Sequence, residues 1–357
     1  MNRKVNFQVI KTAITIMLAL AIAFLVILMV SNEPIRALNQ MLFGPLSSIR
    51  RFGNVLELSI PLIFTGLAVC VMFEAKQFNM MAEGSFFIGA IAASYIGINF
   101  KLPYGIHALV AVIIGGIVGG LANLIPAILK SKYNGNELVS SLMMNHIVLY
   151  FGLFVVNTFL RDPNVGTLAS FEFLDTAKLP RFIPKTRIHV GIFIAIIMII
   201  VVYHLLYKTK WGYALRMTGH NIKFSQYSGI KTSQIILFSQ IAGGIIAGLG
   251  GATEILGMYS RFEWYKLTGY GWDGIIVAIL AKNNPILVPI AAFFLAYLRT
   301  GADIMSRTTD VASEIVAVIQ AIIIMLITAE AFMSKWKQNI IVKQTLMEGV
   351  DKDATNS

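Results

Sequence analysis

Long apolar runs, separated by short polar connections, extend along this chain from about residue 12 to residue 332. A helix needs roughly 20 mainly apolar residues to cross the hydrocarbon layer of a bilayer. The pattern therefore predicts an all-α polytopic membrane protein with about ten transmembrane helices. The predicted spans are Thr12–Val30, Leu58–Phe73, Gly84–Ile98, Gly105–Leu129, Leu138–Leu160, Ile188–Tyr207, Ser233–Leu256, Trp272–Ala281, Ile286–Arg299 and Ala312–Phe332.

The eighth predicted span, Trp272–Ala281, is too short to cross a bilayer as a straight helix. Its glycine-rich surroundings favour a half-span or a re-entrant element, which survives at membrane depth only inside protein or beside a water-filled cavity. Glycines also recur within two full-length spans, where close backbone approach is the main prediction and a gating hinge the alternative. They are Gly115, Gly116, Gly119 and Gly120 on one span, and Gly243, Gly244, Gly248, Gly250 and Gly251 on the other.

The composition supports a lipid environment, since 57% of the residues are hydrophobic and 13% are charged. Soluble domains have about 45–50% apolar and about 25% charged residues. The net charge of +11 does not indicate nucleic-acid binding, because most basic residues lie in connections between spans and no basic face with interleaved aromatics appears. A single cysteine, Cys70, excludes an intrachain disulfide and a cysteine metal site.

Basic residues predict the orientation. The connection 208–232 contains five of them and no acid, which favours the cytoplasmic side; they are Lys208, Lys210, Arg216, Lys223 and Lys231. The predicted outer loop, residues 161–187, has mixed charge. We therefore expect residues 1–11 to form a cytoplasmic N-terminus, residues 12–332 a transmembrane domain, and residues 333–357 a cytoplasmic tail.

Sequence motifs exclude several enzyme classes. The chain has no GxxxxGK[ST] phosphate-binding loop, so it is not expected to hydrolyse ATP itself. It has no HExxH, CxxC or GxSxG motif, and its five histidines show no metal-ligand spacing. We predict no metal and no cofactor.

Four segments, in order along most of the chain, resemble the permease subunits of bacterial ABC importers for simple sugars and nucleosides. These permeases are related to the ribose and branched-chain amino acid permeases, and the Ala82–Gly84 and Asn136–Glu137 matches favour the nucleoside-type branch. The resembling segments are Phe64–Val69 with Phe78–Gly84, Gly135–Asn145, Trp211–Ile230, and Gly269–Leu280 with Asn283–Pro285.

The resemblance implies a type II importer-like permease in the bacterial cytoplasmic membrane, with both termini cytoplasmic. It implies three protein partners: an ATPase subunit with two nucleotide-binding domains, a second permease (a paralogue or a second copy), and an extracellular substrate-binding lipoprotein. The bilayer is the fourth partner. Sugar and branched-chain amino acid substrates stay open, and an ion-coupled secondary transporter is the alternative of another class.

Two sets of candidate site residues follow. Amides and carboxylates match the hydroxyl groups of neutral solutes and aromatic rings match their faces, although these side chains could instead stabilise helix ends. The substrate-pathway candidates are Asn79, Glu83, Asn145, Glu254, Asp273, Phe78 and Trp272. The basic connection is either a plain positive-inside loop or short helices that dock the ATPase, with Arg216 as an anchor and turns at Gly219 and Gly229. The coupling candidates are Gly212, Arg216, Gly219, Asn221 and Gly229.

Overall fold

The computed structural model describes residues 21–325, except residues 23, 30, 185, 313–314, 316–317, 319 and 323–324. Its described residues form an all-helical protein without named strands, as the apolar pattern predicts. They divide into two compact units, one of residues 45–300 and one of the described residues up to Gly44 together with those from Gly301.

Eleven helices are defined between residues 34 and 308 of the described chain. They are α1 (Pro34–Phe43), α2 (Ile49–Glu74), α3 (Ala82–Asn99), α4 (Ile106–Tyr133), α5 (Glu137–Val155, continued by a π-helical turn over Val156–Leu160), α6 (Gly191–Lys208), α7 (Lys210–His220), α8 (Ile222–Tyr227), α9 (Thr232–Met258), α10 (Tyr270–Leu280) and α11 (Val288–Thr308).

Six of the described helices are long and apolar enough to cross a membrane: α2, α4, α5 with its π-helical turn, α6, α9 and α11. Each overlaps a predicted span. The predicted span Gly84–Ile98 is the 18-residue helix α3, which does not count among the six, and Trp272–Ala281 corresponds to the short helix α10. Thr12–Val30 and Ala312–Phe332 lie largely outside the described residues, so the structure bears out fewer spans than the predicted ten.

Helix α11 continues nine residues beyond the predicted end at Arg299, to Thr308. Asp303 and Arg307 lower the hydropathy of these last turns. In the structure Arg307 Nε donates to Asp303 Oδ1 at 2.9 Å. An ion pair four residues apart supports an exposed helical turn, so the helix continues although its apolar character ends.

Helix α9 is the centre of the larger unit and packs on α4, α3 and α2. Its glycines contact backbone: a Cβ added at Gly244 would lie 2.7 Å from the Gly119 carbonyl oxygen, and one added at Gly119 would lie 2.8 Å from Gly248 Cα. Helices in lipid gain little from pairing apolar side chains, so close backbone packing holds them together. The predicted close approach of the two glycine-bearing spans is confirmed.

The connection between α5 and α6 forms no helix, but backbone hydrogen bonds fasten it to the end of α9. Ser170 N donates to Phe262 O at 3.0 Å, and Leu179 N donates to Leu256 O at 2.9 Å. Arg261 Nη2 also contacts Glu172 Oε1 at 2.6 Å. These contacts hold the connection across the segment that leads from α9 to α10.

Candidate functional site

Helix α10 begins at Tyr270 and has 11 residues, which make a helix of roughly 16 Å, about half of a hydrocarbon layer of about 30 Å. Such a terminus leaves backbone N–H groups without helical partners. The carboxylate of Glu83 fills this need: Gly269 N donates to Oε1 at 2.6 Å, and Gly271 N donates to Oε2 at 2.5 Å. Gly269 has φ +85°, a conformation that glycine adopts without strain.

Two further buried carboxylates lie around the same terminus. Asp273, on the first turn of α10, accepts a hydrogen bond from Arg299 of α11 at 2.5 Å. Glu254 of α9 is 3% exposed, bonds to the side chain of Tyr270 and interacts electrostatically with Glu57. One Glu254 carboxylate oxygen has no hydrogen-bond partner. The structure therefore brings Glu83, Asp273 and Glu254 to one half-helix.

The remaining amide candidates lie at the start of α3. Asn145 of α5 accepts from Gly84 N at 2.9 Å and donates to Met80 O at 2.9 Å, so it satisfies backbone groups where α3 begins. Asn79 donates to Asn123 Oδ1 at 2.8 Å and to Gln240 Oε1 at 2.7 Å. These two contacts join the segment that precedes α3 to α4 and α9 through buried amides.

The two aromatic candidates are both exposed, Phe78 before α3 and Trp272 in the first turn of α10. Phe78 packs on Phe73, with ring centroids 5.2 Å apart, and Trp272 is about half exposed. A buried aromatic cluster lies instead next to α10, where Trp264 stacks on Phe86 with ring centroids 5.9 Å apart and an interplanar angle of 16°.

Sequence reasoning missed several residues of the site: Glu57, Asn123, Gln240, Trp264, Tyr270 and Arg299. Most of them carried a usable signal, because polar and ionisable side chains inside apolar runs are costly and need a partner. Arg299 was used only to mark the end of a span. The partners themselves come from helices far apart in the sequence, so no spacing rule pairs Arg299 with Asp273.

The helix pair α7–α8 is the second candidate site, and it confirms the predicted short helices in the basic connection. Thr209 and Asn221 cap the two helices by accepting from Gly212 N at 3.0 Å and Phe224 N at 3.1 Å. Gly219 was predicted to form a turn, which is wrong. It lies inside α7. A glycine is required there because a Cβ would overlap the Glu74 carbonyl oxygen at the end of α2.

The other coupling candidates position the same pair. Gly212 lies against the Leu205 and Leu206 carbonyl groups of α6, and Gly229, with φ +80°, forms the predicted turn after α8. The Arg216 guanidinium lies 4.9 Å from the centre of the Tyr207 ring, within the range of a cation–π contact. Helix α7 thus rests on the ends of two spans.

The outward side of the pair is apolar as well as basic. Tyr213, Phe224 and Tyr227 are exposed, Tyr227 to 92%. Exposed aromatics grouped on one surface are typical of protein interfaces, where aromatic side chains supply much of the binding energy.

Known proteins resemble the chain over almost its whole length. A family model described as "Branched-chain amino acid transport system / permease component" matches residues 51–328. The chain is 32% identical to the guanosine ABC transporter permease protein NupP of Bacillus subtilis (strain 168), over 88% of this chain and 92% of the relative. It is 28% identical to the nucleoside ABC transporter permease protein NupB of Lactococcus lactis subsp. cremoris (strain MG1363), over 92% and 93%.

A further relative is the glucose ABC transporter permease protein TsgB13 of Haloferax volcanii, which is 29% identical over 92% of this chain and 89% of the relative. No solved structure matches the chain. The family match spans well over half of the sequence and agrees with the apolar helices of the fold. The chain is therefore a multi-pass membrane protein of the branched-chain amino acid transport system permease family, and it is a permease subunit of an ABC transporter rather than an enzyme.

Proposed function

We propose that this permease imports nucleosides and that the pair α7–α8 transmits the motion of an ATPase subunit to the membrane helices. ABC permeases act with an ATPase and a substrate-binding protein. The observation that carries the coupling proposal is the seat of α7 on backbone. Gly219 contacts the end of α2, and Gly212 contacts the end of α6.

Direct backbone contact makes α7 a rigid lever. A push on the outward side of α7 moves the ends of α2 and α6, because no flexible side chain lies between them to absorb the displacement. An ATPase changes the state of the permease only through contacts whose free energies differ between the two states. The exposed Tyr213, Phe224 and Tyr227 are the candidates for those contacts, and the same two helices carry the exposed Lys210 and Lys223.

We propose that the polar cluster at α10 lies beside the translocation pathway and holds its half-helix in place. Helix termini at mid-membrane are a recurring feature of transporter sites. Here the N–H groups of Gly269 and Gly271 are already bonded to Glu83, so the terminus offers fewer donors to an anionic group of a substrate. This arrangement favours uncharged, hydroxyl-rich solutes.

Nucleosides are the first candidate substrate because two relatives of the whole chain, NupP and NupB, are named for guanosine and nucleoside transport. A simple sugar is the second candidate, which the glucose permease relative favours. Uptake of labelled guanosine by proteoliposomes with the complete transporter separates the two. Competition by other nucleosides and none by glucose or ribose is expected; the reverse order would make this a sugar permease.

The wider assembly belongs to the same proposal. We place about ten crossings in a type II importer-like permease with both termini in the cytoplasm, so that α7–α8 faces the ATPase. A second permease, either a paralogue or a second copy, completes the pathway. Cysteine labelling from each side of sealed vesicles tests the orientation: Tyr227→Cys should react only with a reagent inside, and Asp175→Cys only with one outside.

The docking role of the pair is tested with Tyr227→Ala. We expect the affinity for the ATPase subunit to decrease roughly tenfold or more, which is the effect of removing an interfacial aromatic anchor. Tyr133→Ala is the matched control, since Tyr133 is also an exposed tyrosine, 74% exposed, at the end of α4. Equal ATPase affinity of the two variants would remove the pair from the interface.

The class of transporter has its own test. Proteoliposomes with the permease and an ion gradient, but without the ATPase, should show no nucleoside uptake. Uptake under those conditions would instead establish an ion-coupled secondary transporter.

A further inference from the structure

Helix α1 carries an apolar arc that the protein covers only in part. Ala37 and Met41 are buried, whereas Ile35 is 77% exposed and Leu38 is half-buried. Successive helical residues point roughly 100° apart, so Ala37 and Met41 share one direction and Ile35 and Leu38 share the neighbouring one. The helix therefore has a protein-facing flank and an uncovered apolar flank.

In the first turns of α1 a third side is polar. Arg36 Nη1 contacts Glu33 Oε2 at 2.8 Å, and both side chains are more than half exposed. Asn39, also exposed, lies between Arg36 and Ile35 on the helical projection. The ion pair leaves this side of the helix without net charge.

Both ends of α1 are tied to a short stretch at the end of α11. Ser31 Oγ donates to Asp310 Oδ1 at 2.5 Å and Asn32 N donates to Asp310 Oδ2 at 2.7 Å. At the other end, a Cβ added at Gly44 would lie 2.9 Å from Ile304 Cγ2. Helix α1 therefore runs beside the end of α11.

We expect that position to lie near the membrane boundary. Helix α11 is long and apolar enough to be a span and ends at Thr308, and the predicted span Thr12–Val30 ends one residue before Ser31. A groove of about 730 Å³ runs along residues 32–43 and is lined by Ile35 and Leu38 among others. An amphipathic helix at this level meets the layer between headgroups and acyl chains.

We propose that α1 is an interfacial helix whose Ile35–Leu38 flank contacts phospholipid acyl chains while its Glu33–Arg36 side faces water. Because the polar side is neutral, the contact requires no anionic lipid. A second copy of this chain is the competing occupant, but a stable dimer buries about 800 Å² per partner, which exceeds what one flank of a ten-residue helix offers.

The test is nitroxide labelling of single-cysteine variants of the full-length permease in phosphatidylcholine nanodiscs. Ile35→Cys and Leu38→Cys report on the apolar flank, and Arg36→Cys is the matched control on the polar side. The native Cys70 is fully buried, so unmutated protein gives the background labelling. We expect labels at positions 35 and 38 to collide more with oxygen than with a water-soluble nickel chelate, and the label at position 36 to show the reverse.

Three results would overturn the proposal. Equal access of the nickel chelate to all three positions would place the flank in water. Dipolar broadening at positions 35 and 38 that disappears on dilution with unlabelled permease would identify a second copy as the occupant. Lipid contact only in nanodiscs with phosphatidylglycerol would contradict a charge-independent contact.

Discussion

The glycines of the α4–α9 core and those of the pair α7–α8 both make close backbone contacts, but these contacts join different kinds of helix. In the core, Gly119 and Gly244 bring two long helices together backbone to backbone. In the pair, Gly212 and Gly219 bring a short helix onto the ends of two spans. Both use the space that a missing side chain leaves.

The surroundings of the two regions differ. The glycines of the core are enclosed by other helices, and their close approach replaces the side-chain packing that lipid does not reward. One side of the pair packs on backbone, and its other side carries exposed aromatics. The packed side stabilises the pair, and the exposed side is the proposed binding surface for the partner. The comparison predicts that core substitutions reduce stability, whereas substitutions in the pair reduce coupling.

The largest expected effect is on the core. In Gly251→Ala the new Cβ would overlap the Phe86 carbonyl oxygen, and overpacking of this kind costs about 1–3 kcal/mol, occasionally more. We expect a lower free energy of unfolding in detergent. Gly166→Ala is the control, because a Cβ there meets no atom within 4 Å. Equal stability of both variants would mean that the core is not close-packed.

The second effect tests the polar part of the core. Glu83→Gln keeps the shape of the side chain but turns an NH2 group towards an N–H of the α10 terminus. A buried N–H donor that loses its charged acceptor is left without a hydrogen-bond partner, which costs about 1–3 kcal/mol. We expect decreased thermal stability together with decreased guanosine uptake. Asp175→Asn, at a 94% exposed side chain on the connection between α5 and α6, is the surface control and should leave both unchanged.

The third effect separates coupling from stability. Gly219→Ala drives a Cβ into the Glu74 carbonyl group and should tilt α7 away from α2. We expect guanosine uptake to fall roughly tenfold, a change of about 1.4 kcal/mol, while the ATPase still co-purifies. Gly135→Ala, with a Cβ 3.3 Å from the Leu129 carbonyl oxygen, should transport normally. If Gly219→Ala instead prevents folding, Gly219 is a packing residue like the glycines of the α4–α9 core.

The smallest expected effect concerns a solvent-exposed contact, the one between Asp310 and the residues before α1. Hydrogen bonds from Ser31 and Asn32 lower the pKa of Asp310. This contact is therefore complete above the usual carboxyl pKa of about 3.9 and is lost as the pH falls through the lower value of the folded chain. Asp310→Asn should increase the mobility of a nitroxide at position 35 at neutral pH and leave uptake unchanged. Reduced uptake would show that α1 takes part in transport.

Local patterns predicted much of the fold. The apolar runs of α2, α4, α5, α6 and α9 are long enough that lipid is their only suitable solvent, so their existence follows from length and hydropathy. The short helix α10 was predicted because its apolar run contains too few residues to cross a bilayer. Helix α1 was missed, since its ten residues resemble a polar connection unless the helical period is considered.

The candidate sites were predicted by residue type but not by partner. Polar groups at membrane depth need a hydrogen-bond partner or a functional role. This argument selected Asn79, Glu83, Asn145 and Asp273. Their contacts with Gln240, Gly271 and Arg299 join helices that are distant in sequence. Gly219 shows the same limit: next to a polar stretch it suggests a turn, and only the approach of α2 shows why a glycine stands inside a helix.

The sequence alone determined that this chain is helical, lies in a membrane and belongs with ABC permeases, because hydropathy, helix length and motif order are properties of neighbouring residues. The tertiary structure decided which buried charges have partners, which glycines touch backbone and which surfaces stay uncovered. Those properties depend on distances between segments far apart in the chain. Burial makes each such contact costly to leave unmade, and only the packed fold determines which groups are buried together.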